Sequence, residues 1–380
     1  MENLTVTAAI IVKNEERCIS RCVNSIINFF DEIVIVDTGS DDNTIGIIKG
    51  FNSVKIKIYL IKWSDSFSDP RNAAIERSTS NYIFFIDADE FLEIPKKDIP
   101  NIIKVAKKND THHHIVLCPK IIDHNKNATS SIGRILPNNG MFFYHGYIHE
   151  ELRVKDDSNY LLIPVDITLH HDGYVDEIIK RKNKSERNKK LNTLNIKIEP
   201  ENLRWHYFYY RDLFYLILPN EIYSSLLRNI KLHDNAPLSY ENLKKGTYTF
   251  AILDLMARAC LRKKSHRDDF YLITDLMDII IPNNSNSVYY KAIYELLNWH
   301  IKSITIIHNL VSYRKNNHQF HEDMLHSDGL HIDAAISFYL YEKNYRKHAK
   351  KLLLSVHDCG FQTELTNEYL KKIISTEDEQ

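Results

Sequence analysis

The sequence predicts an α/β domain with a mostly parallel sheet, followed by an α-helical region. Three observations point there. Short β-branched runs alternate with amphipathic stretches as far as Tyr174, the pattern of strands joined by crossover helices. Beyond Pro200 the periodicity is helical almost throughout. Glycine is scarce, 10 in 380 residues, and seven of the ten lie at or before Gly173, so the second half has little need of unusual backbone angles.

The elements follow in order. Thr7–Val12 (TAAIIV) reads as a buried strand, and Glu15–Phe29 as a helix with Ile19, Val23, Ile26 and Ile27 on one face. Glu32–Asp37 (EIVIVD) is a strand ending on Asp37. The TGSDDNT segment after it is turn and N-cap chemistry leading to a helix around Ile45–Lys49. Lys55–Trp63 alternates like a strand, and Ser68–Ser78 reads as a helix with Pro70 in its first turn. Tyr82–Asp87 (YIFFID) is another buried strand. After Gly173 the composition changes: Ile178–Lys190 carries seven basic residues and one acid. Farther on, WHYFYYRDLFYLIL and VYYKAIYELLNWHI read as buried helix faces, and Asp333–Val356 as a helical hairpin. Trp205, Tyr209 and Ala349 give a tetratricopeptide-like (TPR-like) spacing. The tail STEDEQ is expected to fray.

Composition excludes several functions. With 49 basic and 50 acidic residues, net charge −1, bulk charge does not hold a polyanion, so no nucleic-acid partner is expected. No GxG pair and no GxxxxGK[ST] occurs, which sets aside dinucleotide-binding dehydrogenases, P-loop NTPases and protein kinases. Cys18, Cys22, Cys118, Cys260 and Cys359 are scattered and contain no CxxC; they read as reduced core thiols. The apolar opening run is too short for a signal peptide and no stretch approaches a bilayer span. The expectation is a cytoplasmic protein without a transmembrane segment.

Carboxylates sit where predicted strands end: Glu15, Asp37, and Asp87 with Asp89. In an open α/β sheet ligands bind at the carboxyl ends of strands. Each acid also suits a plain helix cap or turn, but their coincidence on successive strands favours a ligand site. In FIDADEFL, two aspartates one residue apart can place one carboxylate on a nucleotide and the other on a cation. Magnesium or manganese needs only one or two protein carboxylates when diphosphate oxygens complete its shell.

Four segments in this order, IIVKNEERCISRCVNSI, DEIVIVDTGSDDNT, WSDSFSDPRN and YIFFIDADEFL, resemble the GT-A core of family 2 inverting glycosyltransferases. GRILPNNGMFFYHGYIHEEL and LHHDGY extend the likeness to residue 174. The continuation through KSERNKKL and IEPENLRW resembles the sublancin-type peptide S-glycosyltransferases, which modify bacteriocin (glycocin) precursors. Lipopolysaccharide-core glucosyltransferases share the GT-A motifs. The resemblance implies a catalytic domain over 1–174, a basic helical linker over 175–202, and a helical domain over 203–380 for acceptor binding, dimerisation or both.

The resemblance also implies residue roles. Val12, Asn14 and Glu15 would line the uridine pocket, and Asp37 would lie by the uracil. Arg71 and Asn72 would sit near the uracil or phosphates; Asp69-Pro70 departs from the family pattern just before them. Asp87 would face the ribose beside Ala88, and Asp89 would hold Mg2+ or Mn2+ bridging the diphosphate of a UDP-sugar. His171 would complete the cation site, with His170 as the fallback. The histidine run His112–His114 has no spaced carboxylate partner and reads as loop. Glu150 is the favoured base for an acceptor's proton, with His149 orienting it or acting instead. Lys180–Lys190 is a solvated basic face, or closes on the diphosphate with Arg187 or a lysine. The expected reaction moves a hexose from a UDP-sugar to a Cys, Ser or Thr of a precursor peptide. The alternative acceptor is a cell-envelope polysaccharide or lipopolysaccharide core.

Overall fold

The structure is a computed structural model that describes residues 4–95, 97–108, 114–171, 177–263, 267–316, 326 and 328–375, with backbone alone for 177–184. The expectations for His112, His113, Asp172, Gly173, Tyr174 and the tail beyond Ser375 lie outside the described residues. Two compact units are present: Met1–Ala236 with Leu243–Leu255, and Pro237–Asn242 with Met256–Gln380. This division falls later in the chain than the expected boundaries at 174 and 202.

In the first unit, β1 (Val6–Val12), α1 (Ile19–Ile26), β2 (Glu32–Asp37), α2 (Thr44–Gly50), β3 (Ile56–Leu60), α3 (Ser68–Arg77) and β4 (Tyr82–Phe85) alternate as the sequence predicts. These four strands are parallel, in the order β3-β2-β1-β4. Ile33 and Ile35 of β2 pack into one core, with Ile10 and Phe84, while Val34 and Val36 pack into the core on the opposite face, with Phe85 and Leu136. Both faces of the central strands are covered, so β1, β2 and β4 are buried almost throughout, while the edge strand β3 is only half-buried and exposes Lys57 and Leu60.

Helix α1 starts four residues later than the periodicity suggests. Asn14 takes φ 57°, and the Glu15 carbonyl closes a turn on the Cys18 and Ile19 amides. Cys18 and Cys22 are buried thiols, as expected.

The rest of the unit makes the sheet mixed. It contains β5 (Glu90–Leu92), α4 (Ile99–Lys108), β6 (His114–Ile122), β7 (Ala128–Thr129), β8 (Ile135–Pro137), β9 (Phe142–His145), β10 (Glu151–Val154) and β11 (Tyr160–His171). Strand β8 runs antiparallel between β4 and β6, β11 runs parallel to β6, and β5 returns antiparallel on β11. That register sets His171 opposite Glu90 and His170 opposite Phe91. The segment after β4 is thereby brought beside the end of β11. A separate hairpin pairs β9 with β10.

Helices α5 (Glu177–Ile198), α6 (Leu203–Asp212) and α7 (Pro219–Ile230) also belong to the first unit, and α8 (Thr249–Lys263) begins there. The aromatic run expected as one buried face stops at Asp212; Tyr215, Leu216 and Leu218 are exposed before Pro219 restarts a helix.

The second unit is helical: α9 (Arg267–Ile280), α10 (Ser285–Asn316), α11 (Leu330–Glu342), α12 (Arg346–Asp358) and α13 (Glu364–Ser375). The expected hairpin is α11–α12, turned at Asn344 with φ 64° and held by Ser337 Oγ donating to the Ala349 carbonyl. Helix α10 departs from expectation. Only Ser287, Tyr294 and Ser303 are buried on it, while Val288, Tyr289, Leu296 and Trp299 are exposed. Its buried seam consists of one aromatic and two small serines, too narrow to cover the apolar face around it.

Candidate active site

The ends of β1 and β2 are latched together. Asp37 accepts hydrogen bonds from the Ser40 hydroxyl at 2.5 Å and the Gly39 and Ser40 amides at 3.1–3.2 Å. Asn14 donates its amide to Ser40 Oγ at 2.9 Å and accepts the Asp41 amide at 2.9 Å. The Glu15 amide reaches Thr44 Oγ1 at 2.7 Å, and its carboxylate accepts the Cys18 thiol at 3.1 Å. Val12 pairs with Asp37 across the strands. The sequence-predicted residues Val12, Asn14, Glu15 and Asp37 thus converge, and Asp37 spends its carboxylate on its own turn, as Asx motifs do.

Beside them runs a chain of alternating charge. Arg71 donates Nε to Glu150 at 2.5 Å and Nη2 to Asp87 at 3.3 Å. Arg134 donates Nη2 to Asp87 at 2.7 Å and to Glu90 at 3.0 Å. Burial alone would raise the Asp87 pKa, but Arg134 and then Arg71 outweigh it and hold the carboxyl well below its usual range. Glu90, 2% exposed, goes the other way: burial lifts it to about 7 against the pull of Arg134. Arg71 also lies 5.3 Å from the ring centres of Phe85 and Tyr144. Asn72 takes a different part from the one expected. Its amide donates to the Tyr144 carbonyl at 2.9 Å and accepts the Tyr144 amide at 2.7 Å, clamping β9.

Asp89 and His171 face each other, Oδ1 to Nδ1, at 3.4 Å. The contact is electrostatic without a well-formed hydrogen bond: His171 Nδ1 is buried and has no hydrogen-bond partner. The Asp89 carboxylate pushes the His171 pKa up. A carboxylate oxygen and an orphaned imidazole nitrogen at this separation fit a divalent cation whose remaining ligands come from elsewhere. Among the described residues no cluster of three or more His, Cys, Asp or Glu could hold an ion alone. The fallback His170 instead bonds Glu93 at 3.0 Å and stacks on Phe91.

The β9–β10 turn carries a second cluster of polar side chains. His149 adopts φ 52°, stacks on Phe208 with ring centres 4.1 Å apart, and contacts Asp212 through Nε2 at 2.7 Å. Burial would raise the Asp212 pKa, but His149 and Arg211 hold it down to about 2. A cavity of about 1410 Å³ opens here, lined by His149, Glu150, Arg153, Arg187, Arg204 and Tyr248 among others. Arg187 of the basic run lies over Phe67 on this wall.

The turn depends on Gly146. Its φ is +100°, and a Cβ there would stand 2.6 Å from a ring carbon of the fully buried Trp205. Gly146→Ala is expected to cost about 2–3 kcal/mol, from left-handed backbone strain plus overpacking. A denaturant midpoint equal to wild type would contradict this.

The sequence did not single out Arg134, Glu90 or Asp212. Arg134 stands inside the quoted GRILP segment, so its motif was visible even though its partners were not. Asp212 lies 63 residues from His149 in an aromatic helix, and no local signal marks it.

Acids gathered at the strand ends of a mixed α/β sheet, beside an ion chain and a basic-aromatic cavity, put the candidate site where α/β folds bind their ligands. Residues 7–165 match the family model "Glycosyl transferase family 2", and the chain belongs to that family. It is 30% identical over 311 residues to the SPbeta prophage-derived glycosyltransferase SunS of Bacillus subtilis (strain 168), covering 81% of this chain and 70% of SunS. It is also 31% identical over 98 residues to the poly(ribitol-phosphate) beta-N-acetylglucosaminyltransferase TarP of Staphylococcus aureus (strain N315), covering 25% of this chain and 29% of TarP. Among solved structures it matches S. aureus TarS 1-349 in complex with UDP-GlcNAc at 14% identity and TM-score 0.37, covering 78% of this chain and 92% of that one. Among the described residues no helix is long and apolar enough to cross a membrane.

Proposed function

We propose that this family 2 glycosyltransferase inverts the anomeric centre of a UDP-sugar, glucose favoured, and moves the hexose to a Cys thiol or Ser/Thr hydroxyl of a bacteriocin precursor peptide. The observation that carries the reading is the juxtaposition of Asp89 and His171 on one side of the Asp87–Arg71–Glu150 chain. It supports a cation and diphosphate at one end and an acceptor at the other. Asp89 and His171 would hold Mg2+ or Mn2+, which supplies neutralisation of the charge on the departing diphosphate. Val12, Asn14, Glu15, Asp37, Arg71, Asp87 and Ala88 would line the nucleotide-sugar pocket, with Asn72 fixing β9 beneath Arg71. The His149–Glu150 pair supplies the proton acceptor.

Two features support an extended acceptor such as a peptide. The resemblance to the sublancin-type enzymes runs past the catalytic motifs, and the cavity at Glu150 exceeds the usual 300–1,000 Å³ of a small-molecule site. The helical region would bind the peptide, a second copy of the chain through the exposed face of α10, or both. The proposed setting is the cytoplasm. An envelope polymer is the competing acceptor: the TarP likeness and the cationic cavity wall of Arg153, Arg187, Arg204, Lys244 and Lys245 would suit a phosphate-rich chain.

Intact-mass analysis distinguishes them. A two-cysteine precursor peptide incubated with the protein, manganese and a panel of UDP-sugars is expected to gain hexose with UDP-glucose. No gain on any peptide, with transfer to a ribitol-phosphate polymer instead, would favour the envelope reading.

A further inference from the structure

The two candidate proton acceptors are held in opposite ways. Glu150 has Oε1 committed to Arg71 Nε at 2.5 Å, and the same arginine binds Asp87. That carboxylate works as a counter-ion. His149 has one nitrogen committed and one open. Its Nε2 lies 2.7 Å from Asp212 Oδ2, a separation that needs a proton between them. The carboxylate is ionised, so Nε2 carries that proton. Arg211 Nη2 also faces Nε2, at 3.4 Å, but a donor-only guanidinium cannot share it. Nδ1 is then a free lone pair: among the described residues the polar contacts of the ring, to Asp212 and Arg211, both fall on Nε2, and its remaining contact is the stack on Phe208.

The surroundings over-determine this arrangement. His149 sits in the left-handed backbone region at φ 52°, a strained conformation for a non-glycine residue. Its carbonyl is gripped by Arg204 Nε at 3.0 Å and Nη2 at 2.6 Å, and its ring stacks on Phe208. Asp212 in turn accepts Asn188 Nδ2 at 3.0 Å and Asn192 Nδ2 at 3.3 Å, besides Arg211. Strain held from so many sides is the mark of a pre-organised group.

We propose that His149 Nδ1 takes the acceptor's proton and that Asp212 is the positioning residue that fixes the ring and its tautomer for this step. The proposal rests on the UDP-sugar transferase reading above. In the step the acceptor's sulfur or oxygen bonds the anomeric carbon and its hydrogen passes to Nδ1. The bond from that carbon to the diphosphate oxygen breaks, its electron pair leaving on UDP. The imidazolium that forms is balanced by the Asp212 carboxylate. Glu150 keeps Arg71 aligned between this pair and Asp87.

The test uses the full chain labelled with 15N-histidine, with His149→Asn to assign the ring. The expected spectrum shows His149 protonated at Nε2 and bare at Nδ1; protonation at Nδ1 alone overturns the proposal. Asp212→Asn can donate an amide hydrogen to Nε2 and so reverse the tautomer. UDP release from UDP-glucose, with manganese present and water standing in for the acceptor, should fall at least ~100-fold in kcat, by the logic of a carboxylate-oriented histidine base. KM for UDP-glucose should stay within about twofold, because Asp212 bonds none of the residues assigned to the nucleotide-sugar pocket. Asp212→Glu should recover part of kcat. Wild-type kcat in Asp212→Asn, or equal losses in both variants accompanied by lost UDP binding, would assign Asp212 a merely structural role and overturn the proposal. If the wild-type protein neither binds UDP nor releases it from UDP-glucose, the donor reading fails instead, and the tautomer spectrum still decides the dyad.

Discussion

Asp89→Ala should reduce manganese-dependent UDP release from UDP-glucose by about 10³-fold or more while leaving the protein folded. The magnitude follows from the several kcal/mol that charge neutralisation at a leaving diphosphate provides, at 1.36 kcal/mol per factor of ten. The expectation of an intact fold follows from the surroundings. Asp89 is 29% exposed and faces His171 at 3.4 Å, so its loss removes one partly exposed pair worth about 1 kcal/mol or less. The backbone turn is held by other groups: the Asp87 amide donates to Glu90 Oε2, and the Glu90 amide to the Asp87 carbonyl. His171→Ala should behave differently in kind, raising the manganese concentration needed for half-maximal rate more than it lowers the plateau. Assays of UDP release against manganese concentration, with melting curves alongside, separate these outcomes. Near-normal turnover in Asp89→Ala would remove the basis for placing the diphosphate there.

How far the sequence reached depends on the range of each interaction. Strands β1, β2 and β4 were legible as short buried apolar runs, as Ile33–Val36 shows, and β3 by its alternation. The positions of Asp87, Asp89, His149 and Glu150 were legible because motifs fix them locally. Their partners, His171 beside Asp89 apart, were not. Asp37 reads equally as a ligand or as a turn former, and only the geometry shows both oxygens on its own Gly39–Ser40 turn. Asn72 looked like half of a nucleotide-binding pair because it follows Arg71, yet one position along α3 turns it to the Tyr144 backbone, 72 residues away. The antiparallel insertion of β8 was invisible because Ile135–Pro137 is too short for a period to show. Helix α10 was misread because an apolar, aromatic face says only that it favours burial, not that this chain covers it.

Arg134→Ala should produce the largest loss of stability among single substitutions at the site, roughly 3–5 kcal/mol, because it breaks a buried ion pair and leaves the Glu90 carboxyl, already lifted to about 7 by burial, without the arginine that opposes that burial. Arg134 is 10% exposed and Glu90 2% exposed. Within the chain of charges Arg134 is the residue that bonds Glu90 and Asp87 together. Asp87 keeps Arg71 at 3.3 Å and is open to solvent on one side, so most of the cost falls at Glu90. A shape-conserving test follows. Arg134→Met keeps much of the side-chain volume, and adding Glu90→Gln removes the stranded charge, so the double variant should be more stable than Arg134→Met alone. Urea denaturation of the two singles and the double gives the coupling directly; additive losses would mean that Arg134 and Glu90 do not act as a pair. Function should follow stability only in part. Because Asp87 connects through Arg71 to Glu150 beside His149, loosening Asp87 should weaken UDP binding in Arg134→Met and leave it weakened in the double variant, where the fold is restored but the carboxylate still lacks its second arginine. Recovery of UDP affinity together with stability would show instead that Arg134 serves the fold alone.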